Sequence, residues 1–220
     1  MGPLGYWYKS RQAKNTITSI KFVDSYTPTG SEDETWFADV DNGTVPETQI
    51  TAYRTGTEVI VAGNGSGKIM ANEDCSWMFG DANAKAFINL ESLDVSILDT
   101  SKVTNMEGMF HYSRNLKSLD LSNFNTSNVT DMSYMFFSCW RLTSLDLFSF
   151  DTSKVTNMSN MFNSCSKLTS IYVGSGWNTD AVTNSKDMFA SSTKLPNFNS
   201  SVVDKTNAHT GNGGYLTLKA

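Results

Sequence analysis

Apolar residues recur along this chain in a unit of about 26 residues. Four copies begin at Asp99, Asn125, Asp151 and Asn178, so the offsets between them are 26, 26 and 27 residues. A partial copy precedes them, with the segments CSWMF and NLESLDVSIL in equivalent places. A fixed period of this length is typical of proteins in which one structural unit is repeated and each unit packs on its neighbours.

Each copy contains two apolar rhythms. The motif L-x-x-L-x-L predicts a short strand with alternate side chains directed inward. The motif M-x-x-M-F, as in Met132, Met135 and Phe136, has the i, i+3, i+4 spacing of one face of a helical turn. We therefore expect a strand and a helical turn in each copy, with the methionines packed against the leucines. The first leucines of the motif are Leu90, Leu116, Leu142, Leu168 and Leu195.

These patterns predict a repeat solenoid of the α+β, β-rich class. A single copy cannot bury its own apolar face, so about five 26-residue units would form a leucine-rich repeat stack with a continuous parallel sheet. The stack is assigned to residues 71–200, after an N-terminal flank at 1–15. Strand-like runs in residues 16–70 predict an antiparallel β cap on the first unit. The segment GGYLTLKA predicts a capping strand within residues 201–220.

A glycine-rich loop, VAGNGSGKIM, follows one of the strand-like runs. A phosphate loop has the pattern G-x-x-x-x-G-K-[ST] and opens a helix. Here Ala62 stands at the first glycine position and Ile69 follows Lys68 in place of the hydroxyl residue. Because Asn and Gly tolerate positive φ, the loop predicts the turn of a β-hairpin rather than a nucleotide site.

Composition excludes several classes of partner. The chain has 220 residues, a formal net charge of -5 and no basic stripe, so we expect no nucleic-acid binding. No apolar run approaches the roughly 18 residues of a membrane span, so we expect no membrane insertion. The N-terminal segment also lacks the charged start, apolar middle and cleavage site of a signal peptide.

Candidate catalytic and metal-binding residues are few. Cys75, Cys139 and Cys165 form no C-x-x-C pair, and His111 and His209 are the only histidines, so a zinc site and a disulfide framework are not expected. We expect three free thiols. His111 follows an M-F pair and is expected to face solvent without a nucleophile beside it. The sequence thus predicts a non-enzymatic protein with no catalytic residue, no cofactor and no metal.

Polar residues between the inward leucines form the first candidate ligand-binding face. Asp94, Asp120 and Asp146 share one position, which strand alternation directs away from the core. Phe148 and Tyr172 interrupt the small polar residues of the same face, and aromatic residues of this kind are typical of recognition patches. The carboxylates could instead bond neighbouring serines or loop amides and serve the fold.

A second candidate patch contains Phe137 and Trp140, which follow the M-F pair of one copy. The patch is expected on the edge of the repeat opposite to the aspartates. Both rings could instead take part in packing between copies.

The repeat resembles a known family. The unit TSNVTDMSYMFFSCWRLTSLDLFSF resembles the BspA-like leucine-rich repeats of bacterial surface proteins, and EVIVAGNGSGKIMANEDCSWMF resembles the segment that precedes such repeats. The likeness covers about residues 50–200. It implies a right-handed solenoid on a cell surface or outside the cell, with an adhesion or recognition role toward a protein or glycan of a host or partner. Similar repeats in phage and mobile-element structural proteins imply an alternative, a structural or receptor-binding component of a virion.

Overall fold

The architecture is described from a computed structural model, which covers residues 14–37, 50–63, 65–80 and 87–219. The expected flank at 1–15 lies almost entirely outside these ranges. Regular elements within them are short strands and one turn of 3-10 helix. In chain order they are β1 (Ser19–Val23), β2 (Glu34–Phe37), β3 (Thr51–Thr55), β4 (Glu58–Ala62), β5 (Ile69–Met70), β6 (Ser92–Asp94), β7 (Leu98–Asp99), β8 (Ser144–Leu147), β9 (Ser170–Val173), the 3-10 helix (Lys205–Asn207) and β10 (Thr217–Leu218).

The N-terminal part forms a mixed five-stranded sheet in the order β2-β3-β4-β1-β6. Strand β3 is antiparallel to β2 and β4, whereas β1 is parallel to β4 and β6. The prediction of an antiparallel cap is therefore wrong. Ile20 and Phe22 on β1 are buried, and β1 lies between two strands that are distant from it in the sequence. Sequence order alone would have paired it with β2.

The glycine-rich loop is not a hairpin turn, contrary to the prediction. Strand β5 leaves the first sheet and pairs in parallel with β7, where Ile69 lies beside Leu98. The loop between β4 and β5 is held by Asp24, whose Oδ1 accepts the Gly67 N–H at 2.6 Å and whose carbonyl accepts the Gly65 N–H at 2.9 Å. These two glycine amides are thus bonded within the protein and do not face a phosphate.

The predicted fold class is wrong for the repeat region. Strands of the copies fall into separate sheets instead of one continuous parallel sheet: β6 joins the first sheet, and β8, β9 and β10 form a three-stranded parallel sheet. Residues 116–121 lie between them and form no strand. Side chains replace part of the missing ladder, since the Asn123 amide donates to the carbonyls of Val95 and Leu98 at 3.0 and 2.9 Å.

The expected helical half is also absent, since residues 87–219 contain no α-helix. The residue two places after the first methionine has a left-handed backbone in successive copies, with φ of 57° at Gly108, Tyr134 and Asn160. Because a right-handed helix cannot continue through such a residue, M-x-x-M-F folds as consecutive turns. The methionines and phenylalanine are nevertheless buried, as in Met132 and Phe136.

Consecutive copies contact one another through isolated parallel bridges and through the core. The bridges join Asp74, Asn105, Asp131, Asn157 and Asn184 in succession. Beneath them runs a column of stacked phenylalanine rings with centroid separations of 5.6, 5.6, 5.7 and 5.4 Å. Its members are Phe79, Phe110, Phe136, Phe162 and Phe189. Residues one repeat apart in sequence are therefore neighbours in space.

Candidate functional site

The three aspartates of the first candidate face close local turns. In each case the carboxylate Oδ1 accepts the backbone N–H of the residue two places on, at 3.1, 2.9 and 3.1 Å. The pKa of Asp120 is held below its ordinary value, first by the hydrogen bond from that backbone N–H and then by the serine side chain. These carboxylates therefore stabilise their own turns. The pairs are Asp94 with Ser96, Asp120 with Ser122, and Asp146 with Phe148.

Two of the three carboxylates also have a cation of the chain beside them. Lys21 Nζ lies 3.9 Å from Asp94 Oδ2, and Lys219 Nζ contacts Asp146 Oδ2. The Lys219 ammonium also lies 5.6 Å from the centroid of the Phe148 ring. A basic partner would have to compete with these lysines for the acidic strip.

The aromatic residues of the first face differ in exposure. Phe148 has 51% of its surface exposed, whereas Tyr172 is partly buried on β9. Tyr172 lies opposite Asp146 on β8 and opposite Thr217 on β10, so the C-terminal strand covers its far side. The two rings belong to one sheet that ends close to the C-terminus.

The second candidate patch is part of a larger group of rings. Phe137 lies 5.6 Å from Tyr112 and 5.7 Å from Tyr134, and Tyr134 lies 6.3 Å from Trp77. Trp140 is 42% exposed and joins the group through Arg114. We call this group the aromatic surface: Trp77, Tyr112, Tyr134, Phe137 and Trp140.

His111 lies beneath the aromatic surface, so the prediction that it faces solvent is wrong. The imidazole is only 5% exposed. It stacks on Phe137 with centroids 5.0 Å apart and meets the edges of Trp77 and Tyr112 at 5.0 and 4.4 Å. Rings from three copies surround the imidazole. The sequence next to His111 does not show this, because two of those copies are distant in the chain.

Left-handed turns position the rings of the aromatic surface. Trp77, Tyr112 and Tyr134 all have φ between 57° and 60°. Gly108 occupies the equivalent position in the copy between Trp77 and Tyr134, and the Trp77 ring lies over it. A Cβ added at Gly108 would be 2.3 Å from Trp77 Cε3. Because Gly108 has no side chain, the Trp77 ring of the preceding copy fits over it.

Arg114 connects the aromatic surface to a groove. Its guanidinium carbon lies 4.5 Å from the Tyr112 ring centroid and 4.2 Å from that of Trp140. Its Nε is buried and has no hydrogen-bond partner within the described part of the chain. A planar cation between two rings is held in a fixed orientation by both.

The groove has a volume of about 460 Å³ and crosses four consecutive copies. Its lining consists of the two residues that precede the first leucine of the motif in each copy. Three of these residues are cationic and none is a carboxylate, although the chain as a whole is acidic. The lining pairs are Ile88 with Asn89, Arg114 with Asn115, Trp140 with Arg141, and Ser166 with Lys167.

The cysteines are free and buried. Burial raises the pKa of Cys75 and of Cys165 to about 12, and burial raises the pKa of Cys139 well above its ordinary value. Each thiol lies against a backbone carbonyl, as Cys165 Sγ does at 3.0 Å from the oxygen of Phe136. A thiolate nucleophile is disfavoured at all three positions.

The described residues contain no group of three His, Cys, Asp or Glu side chains that could hold a metal ion. His209 lies on the surface, where its Nδ1 accepts the Gly211 N–H at 3.1 Å. Across the same residues, no helix has the length and apolar character needed to cross a membrane. Because the aspartates of the first face bond their own turns and two of them face lysines, the aromatic surface and the groove form the stronger candidate site in the described structure.

Sequence reasoning found Phe137 and Trp140 but missed the residues that join them into a surface. Trp77 and Tyr134 share the position before the M-F pair but lie two copies apart, with Gly108 between them, and Tyr112 lies two residues after an M-F pair. A single copy therefore shows no aromatic pattern there. An overlay of all copies at the 26-residue period would have placed them together, because equivalent positions become spatial neighbours.

Comparison of the chain with curated proteins and with solved structures returned no match. Residues 73–204, which include the aromatic surface, the groove and all the full copies of the repeat, match a family described as "Mycoplasma protein of unknown function, DUF285". The match spans more than half of the 220 residues, and the chain therefore belongs to the DUF285 family.

Proposed function

We propose that this chain is a non-enzymatic recognition module that binds a partner macromolecule outside the cell through the aromatic surface. The observation that carries the proposal is the exposed Trp140 ring, stacked on Arg114 at the border of a groove. Trp, Tyr and Arg are the residues that dominate binding energy at protein interfaces. All three types meet here, since the Tyr112 ring centroid lies 4.5 Å from the same guanidinium carbon.

The arrangement is suited to binding rather than to catalysis. Arg114 and its two rings hold one another, so little side-chain freedom is lost when a partner binds. His111 is enclosed by rings and the thiols are buried, so the usual bases and nucleophiles do not meet at the surface. The resemblance of the repeat units to BspA-like surface proteins supports the same role, with a protein or glycan of a host as the partner.

A binding comparison between the two aromatic patches tests the proposal. The wild-type chain, Trp140→Ala and Phe148→Ala would be applied to printed arrays of glycans and of purified extracellular proteins. Both variants remove one exposed ring, so Phe148→Ala is the matched control. We expect Trp140→Ala to weaken the strongest signals by about tenfold or more, which corresponds to roughly 1.4 kcal/mol. Phe148→Ala should leave them within twofold of the wild type.

Two results would contradict the proposal. If Phe148→Ala reduces binding and Trp140→Ala does not, recognition belongs to the strand face with Asp146 and Tyr172. If neither variant changes any signal, the partner does not contact either ring. Thermal unfolding of each variant separates a lost contact from lost structure. We expect Trp140→Ala to stay folded, since the Trp140 ring makes one cation–π contact within the described residues, worth about 0.5–1 kcal/mol at exposed sites.

A further inference from the structure

We propose that the groove beside Trp140 binds an anionic polysaccharide, with carboxylate or sulfate groups held by Arg114, Arg141 and Lys167. This inference rests on the proposed function and specifies the chemistry of its partner. The three cations come from three consecutive copies, and they line the groove without a carboxylate among them.

Charge complementarity favours an anionic occupant. The chain has a net charge of -5, whereas the groove is lined by three cations and no carboxylate. The groove is thus a positively charged region on an acidic protein. Arg114, Arg141 and Lys167 take part in none of the ion pairs found in the described residues, which involve Lys21, Lys117, Lys219 and Arg54 instead. Their charges are available to a ligand.

Arg114 is prepared for such a ligand. Its guanidinium is fixed between Tyr112 and Trp140, and its Nε forms no hydrogen bond within the described chain. The planar donors of arginine match the two oxygens of a carboxylate or sulfate. Because the rings hold the cation in place before binding, the entropy cost of forming these bonds is reduced.

The remaining groups in the groove favour a sugar chain over an acidic peptide. Asn89, Asn115 and Ser166 supply amide and hydroxyl groups, which can donate to and accept from sugar hydroxyls. Asn115 is already oriented, since its Nδ2 donates to the Ile88 carbonyl at 3.0 Å. The exposed ring of Trp140 can receive the apolar C–H face of a pyranose. Ile88 is the only aliphatic residue of the lining, so the groove offers little to peptide side chains.

The direction of the groove matches a linear polymer. It runs across four copies at equivalent positions, and strands or bridges in register are separated by about 4.8 Å. Arg141 and Lys167 occupy the same position in adjacent copies. Two of the three cations are therefore one repeat apart along the groove, and Arg114 lies at the neighbouring position of the copy before Arg141. A linear polymer with charged groups along its length can contact all three.

The test measures binding of the full chain to four immobilised polymers: polygalacturonate, dextran sulfate, uncharged dextran and poly-glutamate. The double variant Arg141→Gln/Lys167→Gln is compared with Lys102→Gln/Lys154→Gln, a control that removes the same charge outside the groove. We expect the wild type to bind at least one anionic polymer about tenfold more tightly than dextran, with binding weakened by salt. The groove variant should lose about tenfold in affinity, and the control should stay within twofold.

The polymers separate the two anion types, since polygalacturonate carries only carboxylates and dextran sulfate only sulfates. Equal losses in the groove variant and the control would overturn the inference, because attraction would then depend on overall charge. Equal binding of dextran would overturn it too. Binding of poly-glutamate but of neither anionic polysaccharide would identify an acidic peptide as the occupant and refute the sugar assignment.

Failure of this inference is distinguishable from failure of the proposed function. If no polysaccharide binds but Trp140→Ala abolishes binding to a protein on the array, the groove assignment is wrong and the recognition role stands. If Trp140→Ala changes nothing on either array while the groove variant loses polygalacturonate binding, the groove binds anions but the aromatic surface is not the recognition site.

Discussion

Replacing Thr126 with valine removes a hydroxyl group that joins two consecutive copies. The Thr126 side chain is buried, and its Oγ1 donates to the Asp151 carbonyl at 2.9 Å and accepts the Asp151 N–H at 2.9 Å. Thr100 and Thr152 make the same pair of bonds to the next copies, with Asn125 and Asn178. These threonines supply contacts between copies where no strand ladder exists.

The size of the effect follows from the two groups left behind. Valine has the shape of threonine, so packing is preserved, but the N–H and the C=O of Asp151 both lose their partner. A stranded, buried polar group costs about 1–3 kcal/mol, and these two are partly buried, so Thr126→Val should lose roughly 2–4 kcal/mol. For a chain of this size, 1 kcal/mol corresponds to about 2–4 °C in Tm. We expect Tm to fall by roughly 4–16 °C.

Thermal unfolding followed by circular dichroism measures this, with two reference variants. Thr143→Val removes an exposed hydroxyl that makes no side-chain hydrogen bond within the described residues, and it should change stability by less than about 0.5 kcal/mol. Thr126→Ser keeps the hydroxyl, so most of the stability that Thr126→Val loses should be preserved in this variant. If Thr126→Val and Thr143→Val unfold at the same temperature, water replaces the hydroxyl. The hydrogen bonds of the threonine then do not stabilise the contact between copies.

Three further outcomes are expected. All three thiols should resist a thiol reagent at pH 8 until the protein unfolds. Because folding raises their pKa, the stability linked to the thiols is complete below the unfolded value of about 8.5 and should fall as pH rises above that value. A urea midpoint that is the same at pH 8 and pH 10 would contradict this. The pKa of Glu107 is raised by burial and then by Asp131 and Asp74, so Glu107→Gln should raise the urea midpoint at pH 7. That gain should disappear near pH 3, below the unfolded pKa of about 4.3, where the carboxyl is protonated in both states. An equal gain at both pH values would be inconsistent with the cause. Gly108→Ala should displace the Trp77 ring, changing tryptophan emission and lowering Tm, and an unchanged spectrum would show that the ring does not need the space.

The sequence determined which residues form the core and which positions correspond between copies. Apolar periodicity can be read from the local sequence. Burial of an apolar side chain is favourable whatever the backbone conformation of its residue. Leu119 and Leu145 are accordingly buried, and so are Met132 and Phe136, although the second pair does not lie on a helix. The aromatic residues Phe137 and Trp140 were also found from the sequence as a candidate patch.

Tertiary structure alone decided the backbone path and the neighbours. The spacing M-x-x-M-F cannot distinguish a helical turn from consecutive turns, since both bury the same three side chains. The left-handed φ of Tyr134 carries no sequence signal of the kind that glycine gives. The sequence did not predict the strand partners either. Strand β5 pairs in parallel with β7, and this pairing forms only when the folded chain brings the two segments together. The Arg114–Trp140 stack likewise joins residues one repeat apart, which become neighbours only when consecutive copies are bonded to each other.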